Sequence, residues 1–160
     1  MTAADGNPTD VLNRDFREFV ETMNSNTVDF VLIGGYAMGA YGVVRATVDI
    51  DFLYRRTEDN VERLCKALTE YGAPEMVIDA DTLLRPDMVA MFGAPPNRID
   101  LLSDISGVDF ETVWAGSKII HIGTLPIRLI GLAELRKNKA TTGRRKNKED
   151  LRRLPKTGKI

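Results

Sequence analysis

Two aspartates alternate with apolar residues in the segment Val48–Tyr54 and are the first residues in this chain that could do chemistry. Side chains two apart on a strand point the same way, so Asp49 and Asp51 share one face while Ile50 and Phe52 pack on the other. Two ionised carboxylates this close repel each other, which costs stability unless a cation or an arginine compensates. The alternative is a solvated edge strand with a polar outer face, but the other residues of the segment are typical of an interior strand.

A third aspartate has the same setting. Asp100 lies between apolar residues in Arg98–Leu102, which predicts a second strand with its carboxylate on one face. If this strand lies in register beside that of Asp49 and Asp51, three carboxylates converge. Carboxylate oxygens are what one or two Mg²⁺ ions need, with positions left for water and phosphate oxygens. Asp104, a little further along, is predicted to be a loop residue.

A glycine pair supplies a complementary feature. Gly34 and Gly35 follow the β-branched and aromatic run Val28–Ile33, a predicted strand, and precede a short predicted helix, Tyr36–Tyr41. Without side chains, the backbone can approach a phosphate closely, and the free amides at the start of the helix point at it. Taken alone, the pair is better explained by a tight strand-to-helix turn without a ligand. Together with the two strand carboxylates about fifteen residues later, it favours a phosphate site.

Helices and strands interleave along the chain, and a hairpin at Gly123-Thr124 makes a wholly parallel sheet impossible. The sequence therefore predicts an α/β (α+β) fold, a mixed β-sheet flanked by helices. Predicted helices run from a cap at Thr9 or Asp10 to about Met23, from Thr57 to Gly72, and over Asp79–Leu84, Asp109–Trp114, Leu132–Asn138 and Lys146–Leu154; further strands are predicted at Met76–Ile78, Met88–Phe92, Ser117–Ile122 and Leu125–Ile130.

Length and composition indicate a single domain. The chain has 160 residues, 43% hydrophobic and 28% charged, which allows one domain over residues 1–154, with residues 1–8 disordered and a basic tail at 155–160. No apolar run is long enough for a membrane span, and the N-terminus has no signal pattern. The single cysteine, Cys65, cannot form an internal disulfide, which favours a cytoplasmic location.

The net charge of −1 hides an asymmetry. Residues 136–160 contain eleven Lys and Arg against two acidic residues, so they carry a charge of +9, while residues 1–135 carry −10. Such a division suits either a nucleic-acid-binding segment or basic groups that meet an anionic ligand on an acidic site.

The combination resembles a known family. Gly34-Gly35, then Arg45-x-Thr47-x-Asp49-Ile50-Asp51, then Asp100, looks like the nucleotidyltransferase superfamily, which includes DNA polymerase β and the aminoglycoside nucleotidyltransferases. It is most similar to the small prokaryotic branch that includes nucleotidyltransferase-type toxins of toxin–antitoxin and abortive-infection systems. The segment Leu132–Leu151 is similar to the ending of that branch, and the likeness covers about residues 28–154.

The resemblance implies a role for each matching position. Arg144 and Lys148 would either contact nucleotide too or form a helix salt bridge with Asp150. Asp49 and Asp51 would hold Mg²⁺, Asp100 would complete the metal site and help to deprotonate the acceptor, Gly34 and Gly35 would hold the triphosphate, Arg45 and Thr47 would contact phosphate, and Lys139 would be a further nucleotide contact.

The function that the resemblance implies is Mg²⁺-dependent transfer of a nucleoside monophosphate from a nucleoside triphosphate to an acceptor hydroxyl, with release of pyrophosphate. The acceptor would be RNA such as tRNA, a protein or a small molecule, and a toxin–antitoxin component would also have a cognate partner protein. Many members of the superfamily have serine where Gly35 stands, and this chain has no room for the separate helical domain with which larger members hold an acceptor. The alternatives are a non-catalytic nucleotide- or metal-binding module and an RNA- or protein-interaction domain that uses the basic C-terminal segment.

Overall fold

The computed structural model of the protein describes residues 12–44 and 46–157. Over these residues it contains seven α-helices, six β-strands and one short 3-10 helix. The predictions for residues 1–8, Thr9 and Asp10 fall outside the described residues. The elements are α1 (Arg14–Ser25), β1 (Phe30–Ile33), α2 (Gly34–Ala40), β2 (Asp49–Tyr54), α3 (Glu58–Tyr71), the 3-10 helix (Glu75–Val77), α4 (Ala80–Leu83), β3 (Val89–Phe92), β4 (Arg98–Leu102), α5 (Phe110–Gly116), β5 (Lys118–Ile122), β6 (Leu125–Leu129), α6 (Leu132–Thr141) and α7 (Arg145–Arg153).

The strands form one mixed sheet in the order β3-β4-β2-β1-β6-β5. Strand β2 runs parallel to β4 and antiparallel to β1, and β1 runs parallel to β6. The outer strands β3 and β5 pair antiparallel with β4 and β6. The predicted fold class, a mixed sheet flanked by helices, is therefore confirmed.

One face of the sheet is closed by an aromatic cluster from α1. Four residues at helical spacing on α1 are buried (Phe16, Phe19, Val20 and Met23). The Phe19 ring lies 5.7 Å from the Phe52 ring of β2, centroid to centroid, and it also contacts the rings of Tyr71 and Phe92. Because Ile50 and Phe52 are fully buried on this face, the alternating aspartates of β2 point to the other one.

Helix α3 and the hairpin follow the sequence closely. The Thr57 side chain caps α3, and Gly72 ends it in the left-handed conformation, at φ 89°. Strands β5 and β6 pair across Gly123-Thr124 with Ile122 opposite Leu125, as predicted. These elements were predictable because their caps and turn residues are local signals.

Two helix starts and one predicted strand are among the differences from prediction. Helix α1 begins at Arg14, where the Asn13 side chain accepts a hydrogen bond from the Phe16 backbone N–H. Helix α2 begins at Gly34 rather than Tyr36, so the glycine pair forms its first turn. The strand predicted at Met76–Ile78 is wrong: Glu75–Val77 is a 3-10 helix after Pro74, and Met76 is 85% exposed.

In the part of the chain that the structure describes, no helix is both long enough and apolar enough to cross a membrane.

Candidate functional site

The register between β2 and β4 builds the candidate site. The two strands are parallel, and Asp49 pairs with Arg98 while Asp51 pairs with Asp100. Residues directly opposite each other in a sheet point to the same face. These four side chains therefore lie together on one face of the sheet, two from each strand. The convergence of the three aspartates was predicted from the alternation of the two segments, on the condition that the strands lay side by side in register, and they do.

The three carboxylates come together closely. One oxygen from each of Asp49, Asp51 and Asp100 lies within 4.8 Å of the others. Asp100 is buried, with 6% of its surface exposed, and the other two are half-buried. Three converging oxygen donors held on neighbouring strands are a donor set that fits Mg²⁺. The predicted convergence is confirmed, and the ligand role of each aspartate remains a prediction.

Arg98 offsets part of this negative charge. Its Nε donates to Asp100 Oδ1 at 2.9 Å, and its Nη2 donates to Asp100 Oδ2 at 3.1 Å and to Asp49 Oδ2 at 2.5 Å. The Asp100 contact uses two donors of the guanidinium fork, which is a strong and directional arrangement. Arg98 was not among the residues predicted for the site, although its position two residues before Asp100 indicates that the two side chains share a face.

Burial and the crowding of negative charges shift the pKa of Asp51. Burial, the negative charges of Asp49 and Asp100, and a hydrogen-bonding contact with Asp100 raise the pKa of Asp51 to about 7. Arg98 opposes this shift, but its effect is the smallest of those on Asp51. A carboxyl group in this state binds a proton near neutral pH when no cation is present, so a divalent cation and a proton compete for it.

The glycine pair makes space beside the carboxylates. Gly34 has φ +70°, and a Cβ atom placed on it would lie 2.1 Å from Asp51 Oδ2. A Cβ on Gly35 would lie 3.1 Å from the Cβ and Oγ1 atoms of Thr47. Any larger side chain at Gly34 therefore collides with a candidate metal ligand, and one at Gly35 crowds Thr47.

A cavity of about 280 Å³ opens over this region. Carboxylates, glycine backbone and lysine side chains therefore border one space. Its lining residues are Gly34, Gly35, Ala46, Thr47, Val48, Asp49, Asp51, Lys139 and Lys146.

Lys139 reaches this cavity as part of a buried ion pair. Its side chain on α6 is 9% exposed, and Nζ lies 3.1 Å from Oδ2 of Asp150 on α7, which is 4% exposed. Lys139 Nζ also donates to Asn147 Oδ1 at 3.3 Å, and Asn147 Nδ2 donates to Thr142 Oγ1. The two C-terminal helices thus hold the ammonium group in a fixed place at the edge of the cavity.

The remaining predicted contacts have different outcomes. The Thr47 side chain lines the cavity, where its hydroxyl donates to the Asp49 backbone carbonyl at 2.9 Å. Arg45 lies outside the described residues. Arg144 and Lys148 are exposed, and neither is among the described residues that line the cavity. Lys146, for which no role was predicted from the sequence, does line the cavity.

A second cavity of about 220 Å³ lies away from the aspartates, among Trp114, Ile119, Arg128 and neighbouring residues. The Arg128 guanidinium stacks on the Trp114 ring, 4.0 Å from its centroid. The described residues place no group of clustered acids, histidines or cysteines there. The chemistry therefore concentrates at the first cavity.

Comparison of the chain with models of protein families and with curated protein sequences finds no match. The interpretation of the site therefore depends on its own geometry and chemistry.

Proposed function

We propose that the protein is a Mg²⁺-dependent nucleotidyltransferase. It moves a nucleoside monophosphate from a nucleoside triphosphate to an acceptor hydroxyl on RNA, a protein or a small molecule, and it releases pyrophosphate. As in the small prokaryotic branch that it resembles, it would act as a toxin–antitoxin component with a cognate partner protein. Its nucleotide substrate and its free Cys65 thiol both favour a cytoplasmic location.

A single observation carries the proposal. The parallel register of β2 and β4 brings Asp51 opposite Asp100, and Asp49 lies two residues away on the same face. Asp49 and Asp51 line a cavity that glycine backbone, Lys139 and Lys146 also line, and Asp100 lies directly behind them. A magnesium–triphosphate complex has one cationic and one anionic part, so it complements both halves of this cavity.

Each residue of the site has a separate role in the proposed reaction. Asp49, Asp51 and Asp100 would hold Mg²⁺, which when bound neutralises phosphate charge and aligns the triphosphate. Gly34 and Gly35 leave room for the triphosphate beside Asp51, and Lys139 supplies a fixed positive charge. The buried Asp100 would accept the proton of the acceptor hydroxyl as its oxygen attacks the α-phosphorus.

Label transfer tests the proposal. Purified protein is incubated with Mg²⁺ and each α-labelled nucleoside triphosphate, with pooled RNA, protein and aminoglycoside acceptors. We expect label to join one acceptor class and pyrophosphate to appear. The Asp51→Asn variant should fold normally and lose activity at least about a thousandfold, about 4 kcal/mol of transition-state stabilisation.

Asp104→Asn is the matched control, because Asp104 is a carboxylate in the loop after β4 that interacts with Arg56, outside the three-aspartate cluster. It should retain activity. An unchanged rate in Asp51→Asn would refute the proposed role of the cluster.

A non-catalytic nucleotide-binding module is the second candidate. It is favoured by the contacts of Arg98, which already engages two of the three carboxylates. Binding of nucleoside triphosphate without release of pyrophosphate, across all acceptor pools, would support this candidate over the enzyme.

A further inference from the structure

Two lysines line the cavity that contains Asp49 and Asp51, and they differ in what surrounds them. Lys139 is buried and lies against Asp150 and Asn147. Lys146, in the first turn of α7, is exposed, and the structure gives it no ion pair within residues 12–44 and 46–157. The positive charge of Lys146 is therefore available to a ligand in the cavity.

The orientation of Lys146 follows from helical spacing. Asp150 faces inward, because it is buried and pairs with Lys139. Lys146 precedes Asp150 by four residues, so both lie on the same side of α7. Lys148 comes two positions after Lys146, about 200° further round the helix, and does not line the cavity in the described part of the chain. The packing of Asp150 thus aims Lys146 at the cavity and Lys148 away from it.

The first turn of α7 is also short of negative charge. It contains Arg145 and Lys146 and no acidic residue. Positive side chains near a helix N-terminus interact unfavourably with the helix dipole, and an anion there removes the penalty. This arrangement therefore costs stability in the free protein and is favourable when an anion binds beside it.

We propose that Lys146 binds the β- and γ-phosphates of the nucleoside triphosphate, and hence the pyrophosphate leaving group. This inference rests on the proposed function and adds a residue to it. The three carboxylates take the cationic part of the magnesium–triphosphate complex, and Lys139 and Lys146 take its phosphates. Lys139 is a fixed contact, whereas Lys146 has a flexible and exposed side chain that can follow the phosphates as they leave.

Transfer of the nucleoside monophosphate forms one bond to the α-phosphorus and breaks another. The acceptor oxygen forms a bond to the α-phosphorus, the bond from the α-phosphorus to the bridging oxygen of the β-phosphate breaks, and the acceptor proton passes to the base. Negative charge grows on the departing pyrophosphate. A lysine ammonium beside it stabilises this charge in the transition state.

Binding of inorganic tripolyphosphate with Mg²⁺, measured by calorimetry at physiological ionic strength, tests the inference without any need for turnover. The variants are Lys146→Ala, Lys146→Arg and Lys148→Ala. Lys148→Ala removes the same charge from the same helix but from the side that faces away from the cavity. Circular dichroism checks that each variant folds.

We expect Lys146→Ala to weaken tripolyphosphate binding at least about tenfold, which corresponds to about 1.4 kcal/mol. Lys148→Ala should change it less than about twofold, and Lys146→Arg should keep most of the affinity because the charge remains. An equal loss in Lys146→Ala and Lys148→Ala would overturn the inference in favour of a general basic field. An unchanged affinity in Lys146→Ala, or no tripolyphosphate binding by the unaltered protein, would overturn it as well.

Failure of the inference and failure of the proposed function are distinguishable. Lys146-dependent tripolyphosphate binding without label transfer would support the phosphate contact and count against the enzyme. Label transfer with tripolyphosphate binding that is indifferent to Lys146 would support the enzyme and overturn the phosphate contact.

Discussion

Two groups of charged side chains meet at the cavity, and they differ in how far the opposite charges within each group cancel. Lys139 and Asp150 carry opposite charges that offset each other in a buried pair between α6 and α7. Asp49, Asp51 and Asp100 bring three carboxyl groups together, and in the described part of the chain Arg98 is the residue that forms salt bridges with them. The difference indicates that the pair holds Lys139 in place at the edge of the cavity, while the cluster keeps an excess of negative charge that a cation can satisfy.

The balanced pair should be the more costly to break. Lys139→Met removes the ammonium that offsets the buried Asp150 charge, so we expect a loss of about 3–5 kcal/mol in the free energy of unfolding. Urea denaturation measures it. Adding Asp150→Asn should recover part of the loss because the buried charge is then gone. Lys137→Met, an exposed lysine of the same helix, is the control, and a loss as large as that of Lys139→Met would contradict the comparison.

The space beside the cluster should be nearly as sensitive. Gly34→Ala forces a Cβ atom into the Asp51 carboxylate and places alanine at φ +70°, so we expect a loss of about 2 kcal/mol or more, together with loss of label transfer. Gly39 lies in the same helix with nothing within 4 Å of an added Cβ. Gly39→Ala should therefore stabilise the protein by about 0.5–1 kcal/mol. Equal effects of the two substitutions, measured by thermal unfolding, would show that the site does not depend on this close approach.

The smallest effect concerns pH. The pKa of Asp51 is raised in the folded protein to about 7, above its value in the unfolded chain. The proton on Asp51 therefore stabilises the metal-free fold below the unfolded pKa, and this contribution is lost as pH rises through about 7. We expect the free energy of unfolding in EDTA to fall from about pH 5 to pH 8 more steeply in the unaltered protein than in Asp51→Asn. Parallel pH profiles of the two proteins would contradict this assignment.

The sequence predicted the carboxylate cluster only on the condition that two strands lie side by side in register, because strand alternation is a local rule and the pairing of distant strands is not. Asp49, Asp51 and Asp100 each alternate with buried apolar residues, and the parallel register of β2 and β4, with Asp51 opposite Asp100, completes the convergence. Arg98 obeys the same rule two residues before Asp100, and it was missed because an arginine on a strand does not by itself indicate what it contacts.

The helical side of the cavity was harder to predict because it depends on how α6 and α7 pack. From sequence, a salt bridge of Asp150 with Arg144 or Lys148 was one alternative, although neither basic residue lies three or four positions from Asp150. The structure instead pairs it with Lys139 of α6, across the turn between the helices. Lys146 enters the site only through that packing. The wrong strand at Met76 has a related cause: its apolar side chain is exposed, which composition alone does not reveal.

The stability of Asp51→Asn with and without Mg²⁺ tests the central claim most directly. At about pH 8 in EDTA, the variant should be at least as stable as the unaltered protein, because it relieves repulsion in an over-acidic cluster. Millimolar Mg²⁺, with ionic strength matched by NaCl, should then stabilise the unaltered protein by mass action and leave Asp51→Asn nearly unchanged. Equal stabilisation of both proteins by Mg²⁺, or none of either, would contradict the assignment of the three aspartates as a divalent-cation site.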